Sequence, residues 1–137
     1  MLVRRVMILV GVGSFALVTG CSSKPEQQAG HTPPQSEILS EVAAMYKGYV
    51  NDHRVPPKSM EDLEHPYEAS NPHGGGALRR GDVVMFWGGS LPSGNESSVV
   101  LAYEKKVPEE GGLVLMQDGT VKEMTADQFR AAPKAGQ

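Results

Sequence analysis

Four histidines (His31, His53, His65, His73) and one cysteine (Cys21) are the side chains of this 137-residue chain best suited to hold a metal or act as base or nucleophile. A metal site needs three or four converging ligands, and zinc motifs supply them in pairs at short spacing. His65 and His73 share one segment with Asp62, Glu64 and Glu68. They are therefore the metal candidates, carried by a loop spanning 65–80 that could also serve a small solute. No spacing among them matches a ligand pattern, so solvated loop side chains are the expected state. Gly74-Gly75-Gly76, with Arg79 and Arg80, could cradle an anion. A phosphate loop, however, sits between a strand and a helix start, and here a strand follows, so a flexible connector is expected. Ser90 lies in Gly88-Gly89-Ser90-Leu91-Pro92, which is not the Gly-x-Ser-x-Gly elbow of a hydrolase. Glu109 and Glu110 are adjacent, so on a turn their carboxylates point apart. Asn95-Glu96-Ser97 fits a glycosylation sequon. Nothing here assembles a catalytic set or a cofactor motif, so the expectation is a non-enzymatic protein without cofactor.

Cys21 has a different context. Arg4 and Arg5 are followed by an apolar run of 13 residues, 6–18, and then by Thr19-Gly20-Cys21. A positive start, an apolar stretch of about 7–15 residues and small residues at a cleavage point are the marks of a secretory signal. The run is shorter than the ~20 residues a membrane-spanning helix requires, and Gly11 and Gly13 weaken it as a helix. The tetrad Val18-Thr19-Gly20-Cys21 resembles the lipobox of bacterial lipoproteins. That resemblance implies cleavage before Cys21, diacylglycerol on its sulfur, acylation of the new N-terminus and residence in the cell envelope, facing periplasm or exterior. Two or three acyl chains hold a protein stably at a membrane, where one alone is marginal.

Removing Arg4 and Arg5 from the 13 basic side chains leaves 11 against 16 acidic ones, a net charge of −5 for a chain starting at Cys21. Such a balance argues against nucleic acid as a partner. A lipidated Cys21 leaves no thiol for a disulfide, a metal or nucleophilic chemistry. Residues 22–35 are polar, rich in Ser, Gln and Pro, and aperiodic. They read as a disordered tether with an end-to-end distance of roughly 20 Å. The division expected is leader 1–20, lipidated cysteine and tether 21–35, one domain 36–133 and a tail 134–137.

Within that domain, Ile38, Val42, Met45 and Tyr49, widened by Leu39, Tyr46 and Val50, form an apolar stripe that predicts a helix over 36–52. Ser36 is its expected N-cap, and Pro56-Pro57 lies beyond its end. Ser59 is expected to cap a short turn through Leu63. Beyond the 65–80 loop the period changes. Residues 82–87, 98–103 and 113–116 are short apolar runs between turn residues, and a fourth, mixed run covers 120–123. Asp118-Gly119 predicts a tight type I′ hairpin between the last two. Thr125 and Gln128 predict a capping box on a short helix carrying Phe129. The fold class is therefore α+β: a long N-terminal helix packed on a four-stranded antiparallel sheet, with a short C-terminal helix. The central runs are apolar at consecutive positions, so both sheet faces need cover. The 65–80 loop and the Phe129 helix are expected to cover the face away from the long helix. If they do not, Trp87 becomes the candidate for contact with a protein partner.

The long helix, the tyrosines Tyr46 and Tyr49, the run Val55-Pro56-Pro57-Lys58-Ser59-Met60-Glu61-Asp62-Leu63 and the sheet together resemble the globular part of a type II secretion pseudopilin. Gly111-Gly112-Leu113-Val114-Leu115-Met116-Gln117-Asp118-Gly119-Thr120-Val121 is similar to pilin-like bacterial proteins that carry a histidine nine residues before Asp-Gly; here that position is Pro108. The resemblance implies a pilin-like fold. It does not imply a filament, because no pilin-type leader helix precedes the domain and a lipid anchor takes its place. The expected role is structural or interactive, at the membrane through Cys21.

Overall fold

A computed structural model describes residues 33–89 and 97–137. The readings of leader 1–20, of Cys21, His31 and most of the tether, and of Ser90 and Asn95-Glu96 lie outside those residues. The described chain is α+β: α1 (Gln35–His53), a 3₁₀ turn (Glu61–Leu63), a kinked turn (Glu64–Glu68), α2 (Pro72–Arg80), β1 (Val83–Met85), β2 (Val100–Glu104), α3 (Val107–Glu110), β3 (Gly112–Met116), β4 (Val121–Met124) and α4 (Ala126–Ala131). The four strands form one sheet in the order β1-β2-β3-β4, each pair antiparallel.

α1 forms where the apolar stripe runs, burying Ile38, Leu39, Val42, Ala43, Met45 and Tyr46. It starts one residue earlier than expected, and Ser36 is not its cap. Pro34 (φ −59, ψ 149) holds the N-cap position, and its carbonyl accepts from Glu37 and Ile38. Ser36 thus sits inside the first turn, where its carbonyl accepts from Ser40 Oγ at 2.8 Å. Pro33, expected in the tether, is buried. At the far end Arg54 takes the left-handed conformation (φ 59) and donates its N–H to Val50. Ser59 does not cap the 3₁₀ turn, which has no side-chain cap. Asp62 Oδ2 accepts the Lys58 N–H there at 2.7 Å.

The largest departure from the sequence reading is at 65–80. Most of this segment is helix rather than loop, and the three glycines lie inside α2. Each glycine costs about 1 kcal/mol relative to alanine in an isolated helix, so local propensity argues for a loop. Contact with α1 reverses the balance. A Cβ on Gly74 would lie 2.8 Å from Glu41 Cβ and 2.9 Å from the Val42 nitrogen. Only glycine lets the two helices approach this closely, burying Ala77 between α1 and β1. Pro72 starts the helix, where its missing N–H is harmless. Gly81 (φ +73) ends it, with the Asp82 N–H returning to the Ala77 carbonyl.

The sheet divides the core. On one face Met85, Leu101, Ala102 and Leu115 pack with α1, Leu63 and Ala77. On the other Val100, Val114 and Met116 pack with Val107 and Phe129. A bulge between Val100 and Ala102 places Leu101 and Ala102 in the same cluster. The second face is thus covered by α3 and α4, while the 65–80 segment lies on the α1 side. The connection between β2 and β3 contains the single helical turn α3, and its Val107 is fully buried.

β4 is an edge strand of mixed polarity, with Lys122 and Glu123 exposed. The β3–β4 connection is not a two-residue type I′ turn. Thr120 closes the loop by accepting the Met116 N–H at 2.8 Å, leaving three loop residues, of which only Gly119 has positive φ (+89). Asp118 instead uses its carboxylate, which accepts the N–H and hydroxyl of Thr120. The capping box on α4 forms as expected. Residues 134–137 are not a loose tail: Lys134 bridges Val100, and Ala135 is buried and donates to the Val100 carbonyl at 2.9 Å.

Candidate functional site

The histidine candidates do not converge. His65 is exposed on the kinked turn and His73 is exposed in the first turn of α2. Among the described residues no three of His, Cys, Asp and Glu are grouped so as to hold a metal. Nor is the tri-glycine segment an anion cradle. The Gly74 N–H at the start of α2 already donates to Glu41 Oε2 at 2.7 Å. This internal carboxylate occupies the position an external anion would take. Glu41 was missed at the sequence level because its partner lies 33 residues away.

Around α2 the charges are mutually satisfied. The Arg79 guanidinium grips both oxygens of Glu68, at 2.7 and 2.6 Å, and reaches Glu64 at 3.1 Å. The hydrogen bonds from Arg79 hold the Glu68 carboxyl below the usual carboxylate range and push the Arg79 pKa up. The cluster fastens α2 to the kinked turn. Arg80, next along α2, pairs with Asp82 at 2.8 Å, so both arginines beside the tri-glycine segment are engaged by carboxylates.

At the C-terminal end of α1 three rings meet. His53 stacks on Tyr49 at 4.3 Å, and Tyr67 meets both edge-on at 5.8 and 6.4 Å. Tyr67 lies against Gly48, where a Cβ would be 3.0 Å from its ring. The Tyr67 hydroxyl donates to Asp52 Oδ2 at 2.7 Å. That hydrogen bond, then desolvation and the Asp52 charge, push the Tyr67 pKa up to about 12. The rings are in mutual contact, so nothing enters between them. Their arrangement packs the 64–68 segment onto α1.

Trp87 is half-buried and packs against the α1-side core. The bare sheet face that would have made it a partner contact is covered. Among the described residues the exposed large apolar side chain is Val55, at 48 %.

Two open clefts meet at Lys106. One, of ≈ 510 Å³, is lined by Lys106, Glu110, Glu123, Thr125 and Gln128 over Gly111 and Gly112. The other, of ≈ 300 Å³, is lined by Gln35, Asp82, Glu104, Lys105 and Lys106. Glu104 is 7 % exposed and accepts the Leu113 N–H at 2.7 Å, with Lys106 Nζ at 4.0 Å. It lies one residue past the apolar run 98–103, as the last residue of β2, where no local pattern in the sequence marks it. Glu109 and Glu110 are exposed on α3. Gln128 is committed to the capping box with Thr125.

No nucleophile–base pair is assembled at either cleft, and no described histidine is hydrogen-bonded to a hydroxyl. Among the described residues no helix is long and apolar enough to cross a membrane. Comparison of the chain with protein-family models, with curated proteins and with solved structures gives no match.

Proposed function

We propose that the chain is a lipid-anchored protein of the bacterial cell envelope, with a pilin-like α+β domain that acts in structure or protein interaction rather than catalysis. The observation that carries this reading is the order Arg4-Arg5, apolar run 6–18, Val18-Thr19-Gly20-Cys21, in a chain with no second cysteine. A charged start, a short apolar stretch and small residues before a thiol suit a signal cleaved at a lipidated cysteine. The domain's organisation supports the second half of the reading. Glu41 and Glu104 accept main-chain N–H groups of other elements and so tie the fold together, and its clefts hold no catalytic set. The sequence of a long helix followed by an antiparallel sheet supports the pilin-like description.

Expression in a bacterial host with radiolabelled palmitate, with and without Cys21→Ser, tests the anchor. Label is expected in the wild-type chain and absent in the variant, which accumulates as precursor. Globomycin, which blocks the lipoprotein signal peptidase, should have the same effect on processing. Unchanged processing and no label in the wild type would overturn the reading.

A further inference from the structure

We infer that residues 64–71 form a clasp that opens in acid while the rest of the domain stays folded, baring Gly48 and Tyr49 of α1. None of residues 64–71 is buried, whereas Leu63 before them is fully buried and Gly74 and Ala77 after them are buried against α1. The stretch is therefore anchored on both sides and laid over the surface between. Its apolar contact is the half-buried Tyr67 ring, which meets Gly48, Tyr49 and His53. Among the described residues, four side-chain hydrogen bonds join it to other elements, and the acceptor in each is a carboxylate. The Tyr67 hydroxyl donates to Asp52, and Arg79 donates once to Glu64 and twice to Glu68.

The stretch packs on α1, the 3₁₀ turn and α2. These bring Asp52 and His53 from α1, Glu61 and Asp62 from the 3₁₀ turn, and His73, Arg79 and Arg80 from α2, with Arg80 engaged by Asp82. The stretch itself contributes Glu64, His65 and Glu68. The hydrogen bonds from Arg79 hold the Glu68 carboxyl below the usual carboxylate range. Their contribution is therefore present above that range and lost as pH falls through the lowered value. Protonation weakens each of the four bonds, because a hydrogen bond to an ionised group is about twice as strong as one between neutral groups. It also leaves Arg79 beside histidines that are cationic in acid, with the opposing charge gone. The anchors respond differently. Leu63 and Ala77 sit in the apolar core, which has no charge to lose, so the 3₁₀ turn and α2 stay in place.

The four tyrosines of the chain report both parts of the domain. Tyr49 and Tyr67 form the clasp contact, whereas Tyr46 is buried under α1 and Tyr103 lies between Phe86 and Phe129 on the opposite face. The full chain with isotope-labelled tyrosine rings, in detergent micelles, is titrated from neutral pH down through the carboxylate range and followed by NMR. The Tyr49 and Tyr67 signals are expected to move to the positions of exposed rings while those of Tyr46 and Tyr103 hold. Arg79→Gln removes three of the four bonds. It should raise the open population about five-fold at a given pH, the upper end of what exposed ion pairs contribute. Tyr67→Phe removes the fourth bond and keeps the ring, and should raise the opening pH as read on Tyr49. Movement of all four signals together, or no movement of Tyr49 and Tyr67, overturns the clasp. An opening pH that neither variant changes overturns it as well.

Discussion

Replacing Gly74 by alanine should destabilise the domain, whereas the same change two residues later at Gly76 should stabilise it. In an isolated helix both substitutions are favourable by about 1 kcal/mol or less. At Gly74 the new methyl would lie 2.8 Å from Glu41 Cβ and 2.9 Å from the Val42 nitrogen, both on α1. These are main-chain and first-carbon positions that cannot swing aside, so α2 must retreat and loosen the fully packed Ala77. Overpacking of this kind costs about 1–3 kcal/mol. Set against the propensity gain of about 1 kcal/mol, the net loss centres on ~1 kcal/mol within a span of about 0–2, and the melting temperature falls by about 4–8 °C per kcal/mol for a domain of this size. At Gly76 the nearest atom is Arg80 Nη1 at 3.0 Å, the tip of a flexible side chain, and the propensity gain survives. Urea denaturation followed by circular dichroism, on the soluble chain from residue 22, measures both. If Gly74→Ala raises the midpoint as Gly76→Ala does, Gly74 is not held against α1 and the account of α2 is wrong.

Tyr46 is 3 % exposed and its hydroxyl has no hydrogen-bond partner among the described residues. An unsatisfied buried group costs about 1–3 kcal/mol, so Tyr46→Phe should raise the urea midpoint; a clear fall would reveal a partner for the hydroxyl. Removing residues 134–137 deletes the Ala135 bond to Val100 and the Lys134 ammonium, which donates to the Phe129, Arg130 and Ala132 carbonyls. Four bonds at about 1 kcal/mol net each give an expected loss of ~4 kcal/mol, and an unchanged midpoint would contradict the packing of these residues onto β2 and α4. The Glu68 carboxyl sits below its usual range because Arg79 donates to it. A depressed folded-state pKa contributes stability that is present above the unfolded value and lost as pH falls through the folded one. The midpoint should therefore fall as the medium is acidified below the normal carboxylate range. Glu68→Gln should flatten that acid limb, and an identical pH profile in the variant would count against the ion pair.

Several features were legible in the sequence because they are local. The 3.6-residue stripe of α1 sets which of its faces is buried whatever the partner. The capping box of α4 depends on two side chains three residues apart. Short apolar runs between turn residues marked the strands, and the charged β4 marked an edge. The basic, apolar and small-residue order ending at Cys21 is likewise a linear pattern, and the proposed anchor rests on that pattern alone.

Tertiary contact decided what depends on partners distant in the chain. Three consecutive glycines announce a loop when only propensity is considered, and they lie in a helix here, where the missing Cβ of Gly74 lets α2 close on α1 and that of Gly75 makes room for Glu68. Contact between the 64–80 segment and α1 left α3 and α4 to cover the opposite face, and Trp87 packs instead against the α1-side core. The positive end of α2, which in sequence could have met an anion, is occupied by Glu41, and Arg79 is held by two glutamates of the preceding turn. Periodicity and caps are encoded within a few residues of one another. The close approach of two helices, and the filling of a helix end by a carboxylate 33 residues away, exist only once the chain has folded.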